Sequence, residues 1–324
     1  MGQMIDGVWV RQDHLAATVD GAFQRPPTTF RHTIAPGTAF PPEAGRYHLY
    51  VSLACPWAHR TLIVRALKRL EPLIAVSVVH WFMGEDGWTF VRGDGVVPDP
   101  VMAAELMHQL YSRADPHFTG RVTVPVLWDT ASGRIVNNES SEIIRIFNTA
   151  FDSLGAAAGD YYPAALRETI DAVNERVYAT LNNGVYRAGF ASSQAAYEAA
   201  VLPLFDTLDW LEGILAEQPF LAGARFTEAD IRLFTTLIRF DPVYHYHFKC
   251  NLRRLTDYPA LWDVTRSLYQ VPTIGETVDF GHIKRHYFMS HAHVNPTRIV
   301  PLGPILDLSA PGSRLAALRA QLAG

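Results

Sequence analysis

Hydrophobic positions change their period twice along this chain. Residues 47–53 alternate between apolar and polar side chains and predict a strand, whereas residues 56–70 carry Leu62, Ile63, Ala66, Leu67 and Leu70 on one side and predict an amphipathic helix. Pro56 suits the first helical turn, because the N–H it lacks would have found no intrahelical acceptor there. Residues 74–79 are short and β-branched, as a buried strand is, so the three segments predict a β-α-β unit. Residues 122–128 and Arg134–Asn137 read as two further strands around a turn at 129–133, and residues 140–147 read as a helix.

A β-α-β unit followed by two antiparallel strands and a closing helix predicts a thioredoxin-like α/β layer. After a Gly/Ala-rich linker at 155–159 the period becomes helical throughout. Leu166, Ile170, Val173, Val177 and Leu181 recur every three or four residues, as do Tyr197, Val201, Leu204, Leu208, Leu211 and Leu215. A third helix opens with Thr227 as N-cap, Asp230 three residues on, and Phe226 with Ile231 placed as a hydrophobic staple; a fourth spans residues 259–270. The expected organisation is an extended arm over 1–45, a thioredoxin-like domain over 46–154 and an all-α domain with a C-terminal extension over 160–324. The arm is rich in Pro, Thr and Gly, which resist helix and sheet alike. Residues 81–119 form an excursion too long for an idle loop, with a short helix expected near 102–111.

Composition narrows the function. At 324 residues the chain suits two domains, and 48% hydrophobic with 19% charged residues describes a folded globular protein. A net charge of −4 offers no basic footprint for a nucleic acid, so none is expected as a partner. Two cysteines, Cys55 and Cys250, are too few for a secreted disulfide framework and fit a reducing, cytoplasmic compartment. The first ten residues do not read as a signal peptide, Gly2 lacks the downstream Ser or Thr of a myristoylation site, and the longest apolar stretch, near 73–79, is too short to cross a bilayer. No membrane association is expected.

Cys55 stands where strand gives way to helix, in Cys55-Pro56-Trp57-Ala58. There a thiol meets unpaired backbone N–H groups and the positive end of the helix dipole. Such settings lower a cysteine pKa from about 8.5 to roughly 3.5–7.5 and supply a nucleophile near neutral pH; the plainer alternative is a structural cysteine in a core. Ala58 occupies the position of a second thiol, so no disulfide can close within the motif and the resolving thiol must come from outside. Glutathione is the abundant cellular candidate, and a Cys55–glutathione mixed disulfide would be resolved by a second molecule. Val124-Pro125 precedes a strand and belongs at a bend or edge. A cis bond there would free the Val124 backbone for an extended peptide such as glutathione, while a trans turn is open too. Glu139-Ser140-Ser141 opens a helix, where hydroxyl and N–H groups bind a carboxylate and Glu139 can pair with an ammonium, or where the residues merely cap.

On these residues the chain resembles the glutathione transferase superfamily, in particular its Xi class, the glutathionyl-hydroquinone reductases. The likeness runs through Cys55-Pro56-Trp57-Ala58-His59-Arg60, Gly87-Trp88, the stretch from Arg121 to Asp129, Asn137 to Glu142, Asn182 to Tyr186, Phe240 to Tyr244, His247 to Asn251, and Ile283 to Tyr287 continuing to Pro304. The resemblance implies a thioredoxin-like domain followed by an all-helical one, a homodimer, and glutathione as co-substrate. It implies that Cys55 attacks the sulfur of a glutathionyl-hydroquinone, that Tyr186 protonates the departing ring, helped by its keto form, and that Tyr244 and Tyr287 offer hydroxyls that stabilise the thiolate. It assigns glutathione binding to Trp88, Arg121, Val124, Glu139 and Ser140. One departure is Phe288, where a second tyrosine is expected after Tyr287.

Histidines crowd the C-terminal half, at 245 and 247, 282 and 286, 291 and 293. An i, i+4 pair could face one metal ion, but no third ligand with clear spacing appears, so no metal is expected. Two rivals remain: an omega-like transferase reducing dehydroascorbate or mixed disulfides with Cys55 alone, and a non-catalytic transferase-like binding protein in which Cys55 only packs.

Overall fold

The computed structural model describes residues 2–11 and 18–322; residues 1, 12–17, 323 and 324, which fall in the expected arm and at the end of the expected helical domain, lie outside the described residues. The chain opens with two short antiparallel ribbons, β1 (Gln3–Ile5) with β2 (Val8–Val10) and β3 (Thr18–Val19) with β4 (Ala22–Phe23). Each turns on an Asp-Gly pair at positive φ, Asp6-Gly7 and Asp20-Gly21, the dipeptide that favours a tight hairpin turn. Pairing in this region was not expected from its Pro- and Gly-rich composition, and these two dipeptides are its cause.

By packing, the described chain divides into two compact units. One is built on Pro26–Ala158 with Asp279–His286 and the start of the chain; the other is built on Gly159–Val278 with the ribbon through Arg25 and the chain from Tyr287 onward. The first unit holds a four-stranded sheet of β5 (Tyr47–Val51), β6 (Ile74–Val78), β7 (Val126–Asp129) and β8 (Arg134–Asn137), in the order β6-β5-β7-β8. β5 and β6 run parallel through α1 (Pro56–Leu67), while β7 lies antiparallel to both β5 and β8. This is the thioredoxin-like arrangement that the period predicted. Every residue of β5 and of β7 is buried, which a central strand covered on both faces requires. α3 (Ser140–Thr149) lies against α1, and Ile63, Ile143, Phe147, Leu49 and Leu127 fill the core, each such side chain worth about 1.5–3 kcal/mol when fully buried.

Boundaries moved where side chains took over backbone partners. α1 stops at Leu67 because Arg69 turns left-handed (φ 51°) and the Leu70 N–H reaches back to the Arg65 carbonyl. The Asp99 carboxylate gathers the N–H groups of Val101, Met102 and Ala104, so the expected helix near 102–111 begins later, as α2 (Met107–Ala114). Residues 122–125 precede β7 instead of belonging to it.

The second unit is helical: α4 (Arg167–Val177), α5 (Gly184–Gly189), α6 (Gln194–Glu217), α7 (Glu228–Arg239), α8 (His245–His247), α9 (Pro259–Tyr269) and α10 (Pro272–Gly275), with α12 (Leu315–Leu322) near the end. The division between the units falls within α11 (Phe280–Ser290). Two wide π-type turns interrupt the apolar stripes, Tyr178–Asn182 after α4 and Phe240–Tyr244 after α7. Pro242, which cannot donate an N–H, lies in the second. The Asn182 amide donates to the Arg232 carbonyl and to Thr236 Oγ1 (3.2 and 2.8 Å), which ties the first turn to α7. Such turns rotate the residues that follow and concentrate at functional sites. Among the described residues no helix is long and apolar enough to cross a membrane.

The start of α7 matches its predicted cap. Asp230 is wholly buried, and its two carboxylate oxygens accept separately from the Leu221 N–H (2.8 Å) and the Thr227 N–H (2.9 Å). Burial pushes its pKa up to about 6, against the pull of those bonds. Replacing it by Ala orphans two buried donors, so Asp230→Ala is expected to destabilise the protein by about 2–4 kcal/mol. A thermal melt followed by circular dichroism checks this, and an unchanged Tm would show that the cap is dispensable.

Candidate active site

The sheet-based unit carries one thiol. β5 ends at Val51, and the turn after it closes with the Cys55 N–H donating to the Ser52 carbonyl (3.1 Å). Cys55 is extended (φ −76°, ψ 120°) and caps α1, its carbonyl accepting from the His59 N–H at 2.9 Å. The residue thereby stands at the positive end of the helix dipole. Its side chain is half-buried, and the thiol donates to the Val124 carbonyl over 3.5 Å. The Val124-Pro125 peptide bond is cis, which decides the alternative that the sequence left open. Ala58 is buried, and no second sulfur stands on α1. Cys250 belongs to the other unit, wholly buried, and desolvation pushes its thiol far above the usual range, which makes it an inert packing group.

Thr123, the residue before Val124, is held by a side chain that the pattern did not single out. The buried Tyr111 hydroxyl donates to the Thr123 carbonyl (2.9 Å), accepts from the Thr123 N–H (3.2 Å) and accepts from the Asn138 amide (3.2 Å). One phenol thus joins α2, the loop before β7 and the approach to α3. The only signal in the sequence was an aromatic residue in a short helix, which says nothing of its partners.

At the mouth of α3, Glu139 is itself the N-cap. Its carboxylate accepts from the Ser141 N–H (3.1 Å) and the Ser141 hydroxyl (2.9 Å), and Thr28 Oγ1 approaches at 3.3 Å. Ser140 is buried, and its hydroxyl accepts from Arg60 Nη1 (3.5 Å), so the first turns of α1 and α3 are bridged. Trp88 is buried beneath the His286 ring, stacked at 4.9 Å and 25°, and His286 Nδ1 in turn lies 2.9 Å from the Trp81 carbonyl. Arg121 is half-buried three residues before Val124.

The helical unit gathers the three tyrosines. Tyr186 comes from α5, Tyr244 closes the π-turn after α7, and Tyr287 comes from α11. The Tyr287 hydroxyl lies 2.5 Å from that of Tyr186 and 3.1 Å from that of Tyr244. All three are buried, Tyr186 the most open at 8% exposure. Burial drives Tyr244 and Tyr287 well above the usual phenol range; Tyr186 adds to this for both, while the positive charge of the buried Arg239 opposes it and the bond to Tyr287 pulls Tyr244 down. Arg239 is another residue that the pattern did not mark. A cluster of neutral phenols in low dielectric can pass or hold a proton and can donate hydrogen bonds to an oxyanion.

Phe288 is buried against His247 (4.8 Å) and Tyr246 (6.0 Å), in aromatic packing. The paired histidines do not converge as ligands. His282 Nε2 lies 2.6 Å from the Asp94 carbonyl, and His247 Nε2 lies 3.2 Å from His291 Nδ1. Among the described residues no group of three His, Cys, Asp or Glu side chains could hold a metal ion.

Known proteins share this architecture. The family descriptions that match are the glutathione S-transferase N-terminal domain, over residues 54–150, and the glutathione S-transferase C-terminal domain, over residues 194–267. The glutathionyl-hydroquinone reductase PcpF of Sphingobium chlorophenolicum is 56% identical over 95% of this chain and 98% of its own length. The glutathionyl-hydroquinone reductase YqjG of Escherichia coli is 55% identical over 97% and 98%. The glutathione-bound structure of YqjG superposes with a TM-score of 0.89 at 53% identity, covering 97% of this chain and 99% of that one. The Xi-class glutathione transferase of Natrialba magadii superposes with a TM-score of 0.90 at 49% identity, covering 97% and 96%. This chain belongs to the glutathione S-transferase family, within its Xi class.

Proposed function

We propose that this chain reduces glutathionyl-hydroquinones, with glutathione as co-substrate and Cys55 as the nucleophile. The observation that carries the reading is a lone, half-buried thiol capping a helix beside the Val124 carbonyl, with Ala58 where a resolving cysteine would stand. Such a thiol can exchange only with a partner from solution. The names of the reductases of Sphingobium chlorophenolicum and Escherichia coli support the same chemistry.

The proposed sequence balances in two steps. The Cys55 thiolate attacks the sulfur of the conjugate, the S–S bond of a Cys55–glutathione disulfide forms, and the bond between sulfur and the ring carbon breaks. Aromatic carbon leaves poorly as an anion, so the ring carbon first takes a proton in its keto form, and the electron pair then restores the aromatic hydroquinone. Tyr186 gives that proton, and Tyr287 and Tyr244 support it through the hydroxyl chain. A second glutathione then attacks the mixed disulfide, releasing oxidised glutathione and the Cys55 thiolate. Two glutathionyl sulfurs are oxidised by one electron each, and the ring carbon is reduced by two.

In the same proposal Val124 offers its backbone to the peptide of glutathione, Glu139 and Ser140 take the γ-glutamyl end at the mouth of α3, and Arg121 takes the glycyl carboxylate or peptide. Trp88 closes over the same molecule.

The test is turnover of glutathionyl-hydroquinone with glutathione, followed by chromatography of free hydroquinone and oxidised glutathione. Cys55→Ser is expected to reduce the rate to background, and wild-type protein given the conjugate alone should gain about 305 Da, one glutathionyl unit, on Cys55. A variant that still turns over removes Cys55 from the chemistry, and a protein that never acquires the adduct is a binding protein. Tyr186→Phe is expected to slow release of hydroquinone by about 10²-fold or more while dehydroascorbate reduction, where measurable, is unaffected. Faster turnover of dehydroascorbate than of the conjugate would favour the omega-like reading. The working unit is proposed to be a cytoplasmic homodimer; light scattering at micromolar concentration should read twice the mass of the chain, and a single-chain mass would reject the dimer.

A further inference from the structure

Tyr186 is touched by a residue from the first twenty-five. The Asp20-Gly21 turn sets the β3–β4 ribbon, with Thr18 opposite Phe23 and Val19 opposite Ala22. The ribbon is fixed to the segment after α5. The Ser192 N–H donates to the Gly21 carbonyl (3.0 Å), Ser193 Oγ donates to the Asp20 carbonyl (3.2 Å), and a Cβ at Gly21 would come within 2.5 Å of Ser193 Oγ. Phe23 is buried edge-on against Phe190 at 5.3 Å. Two residues on, Arg25 Nε donates to Asn183 Oδ1 at 2.7 Å, and its guanidinium carbon stands 4.9 Å above the centre of the Tyr186 ring. Asn183 and Tyr186 are three apart on one turn, so a single planar cation spans both.

We propose that Arg25 is a positioning residue for proton transfer: held over the face of Tyr186, its guanidinium stabilises the tyrosinate left when that hydroxyl gives its proton to the ring of the substrate. The proposal rests on the reading of Tyr186 as proton donor. A cation is attracted to the face of a neutral phenol through the ring quadrupole, and more strongly once the ring carries a full negative charge. The interaction therefore grows along the reaction coordinate, which is the condition for lowering a barrier. No atom is exchanged with Arg25; the proton leaves Tyr186 for the ring carbon, and Tyr186 recovers one from solvent after the hydroquinone departs.

The other groups facing Tyr186 work in both directions. Tyr287 and Tyr244 surround its hydroxyl, and the charge of Arg239 reaches Tyr244 and Tyr287. His291 lies against Phe190 and Tyr287, and His293 against Phe190. Arg25 differs from these in meeting the ring face of Tyr186 itself while being partly open to solvent.

The experiment is a single-turnover measurement of hydroquinone release from glutathionyl-hydroquinone, anaerobic, with enzyme in excess, from pH 6 to pH 10. Wild type, Arg25→Met, Arg25→Lys and Tyr186→Phe are compared. Because a cation favours the tyrosinate, removing it keeps Tyr186 protonated to higher pH and makes it a weaker acid. Arg25→Met is expected to slow release about three- to tenfold and to move the alkaline limb up by about half to one pH unit. Arg25→Lys should recover most of both, and resolution of the Cys55 mixed disulfide by glutathione should stay at the wild-type rate. A ribbon that merely props α5 would lower the rate without moving the limb, so an Arg25→Met profile with the limb of wild type overturns the proposal. If Tyr186→Phe is slow while Arg25→Met matches wild type, only the Arg25 inference falls. If Tyr186→Phe matches wild type, the acid reading falls and takes the inference with it.

Discussion

The chemistry proposed for this protein depends on one covalent placement: a thiol fixed where a fully buried strand hands its backbone to a helix. β5 cannot shift without exposing residues buried on both its faces, and Pro56 commits the next residue to the first helical turn. Cys55 is caught between these two constraints, extended but already capping. The helix supplies partial positive charge, the cis Val124-Pro125 segment supplies a carbonyl, and Ala58 withholds the second thiol that would quench the first. The proposed nucleophilicity and dependence on an external thiol thus have the same origin.

In their proposed role as proton donors, the tyrosines pose the opposite electrostatic problem. A thiolate needs a setting that tolerates negative charge, whereas a proton donor must hold its proton until the ring is ready. Burial holds it: Tyr244 and Tyr287 are driven far above their ordinary range, and the hydroxyls bond to one another. Burial alone would make poor acids, because the charge left behind would be stranded. The buried Arg239 offsets that cost for Tyr244 and Tyr287, and Arg25, over the ring face of Tyr186, is placed to do the same there. Each half of the proposed chemistry lies inside one packing unit, and each tunes charge with different means, a helix dipole for sulfur and guanidinium groups, one buried and one partly open to solvent, for the phenols.

The π-type turns show how the helical unit reaches this arrangement. A regular α4 continued through Leu181 would have carried the apolar stripe onward at 3.6 residues per turn. The wide turn at Tyr178–Asn182 breaks that phase, and the Asn182 amide is then spent on α7 instead of on solvent. The turn at Phe240–Tyr244 does the same after α7, where Pro242 removes a donor and the Asp241 carboxylate accepts from the Leu255 N–H at 2.6 Å. Tyr186 follows one irregularity and Tyr244 completes the other.

The sequence by itself determined what depends on neighbours along the chain. Periods of two and 3.6 residues marked the sheet and the main helices, Thr227 and Asp230 marked a cap, and Cys55-Pro56 with Ala58 marked the proposed nucleophile and its missing partner, because each is a short-range rule of backbone geometry. Tyr186, Tyr244 and Tyr287 were legible only through resemblance, since nothing local distinguishes them from tyrosines that simply pack. Tertiary structure alone decided the rest: that Tyr111 holds Thr123, that His286 covers Trp88, that Arg239 lies buried near the phenols, and that Arg25 reaches Tyr186 across 161 positions of chain. These contacts join residues far apart in sequence, and an energy shared between distant partners leaves no trace in the period of either one.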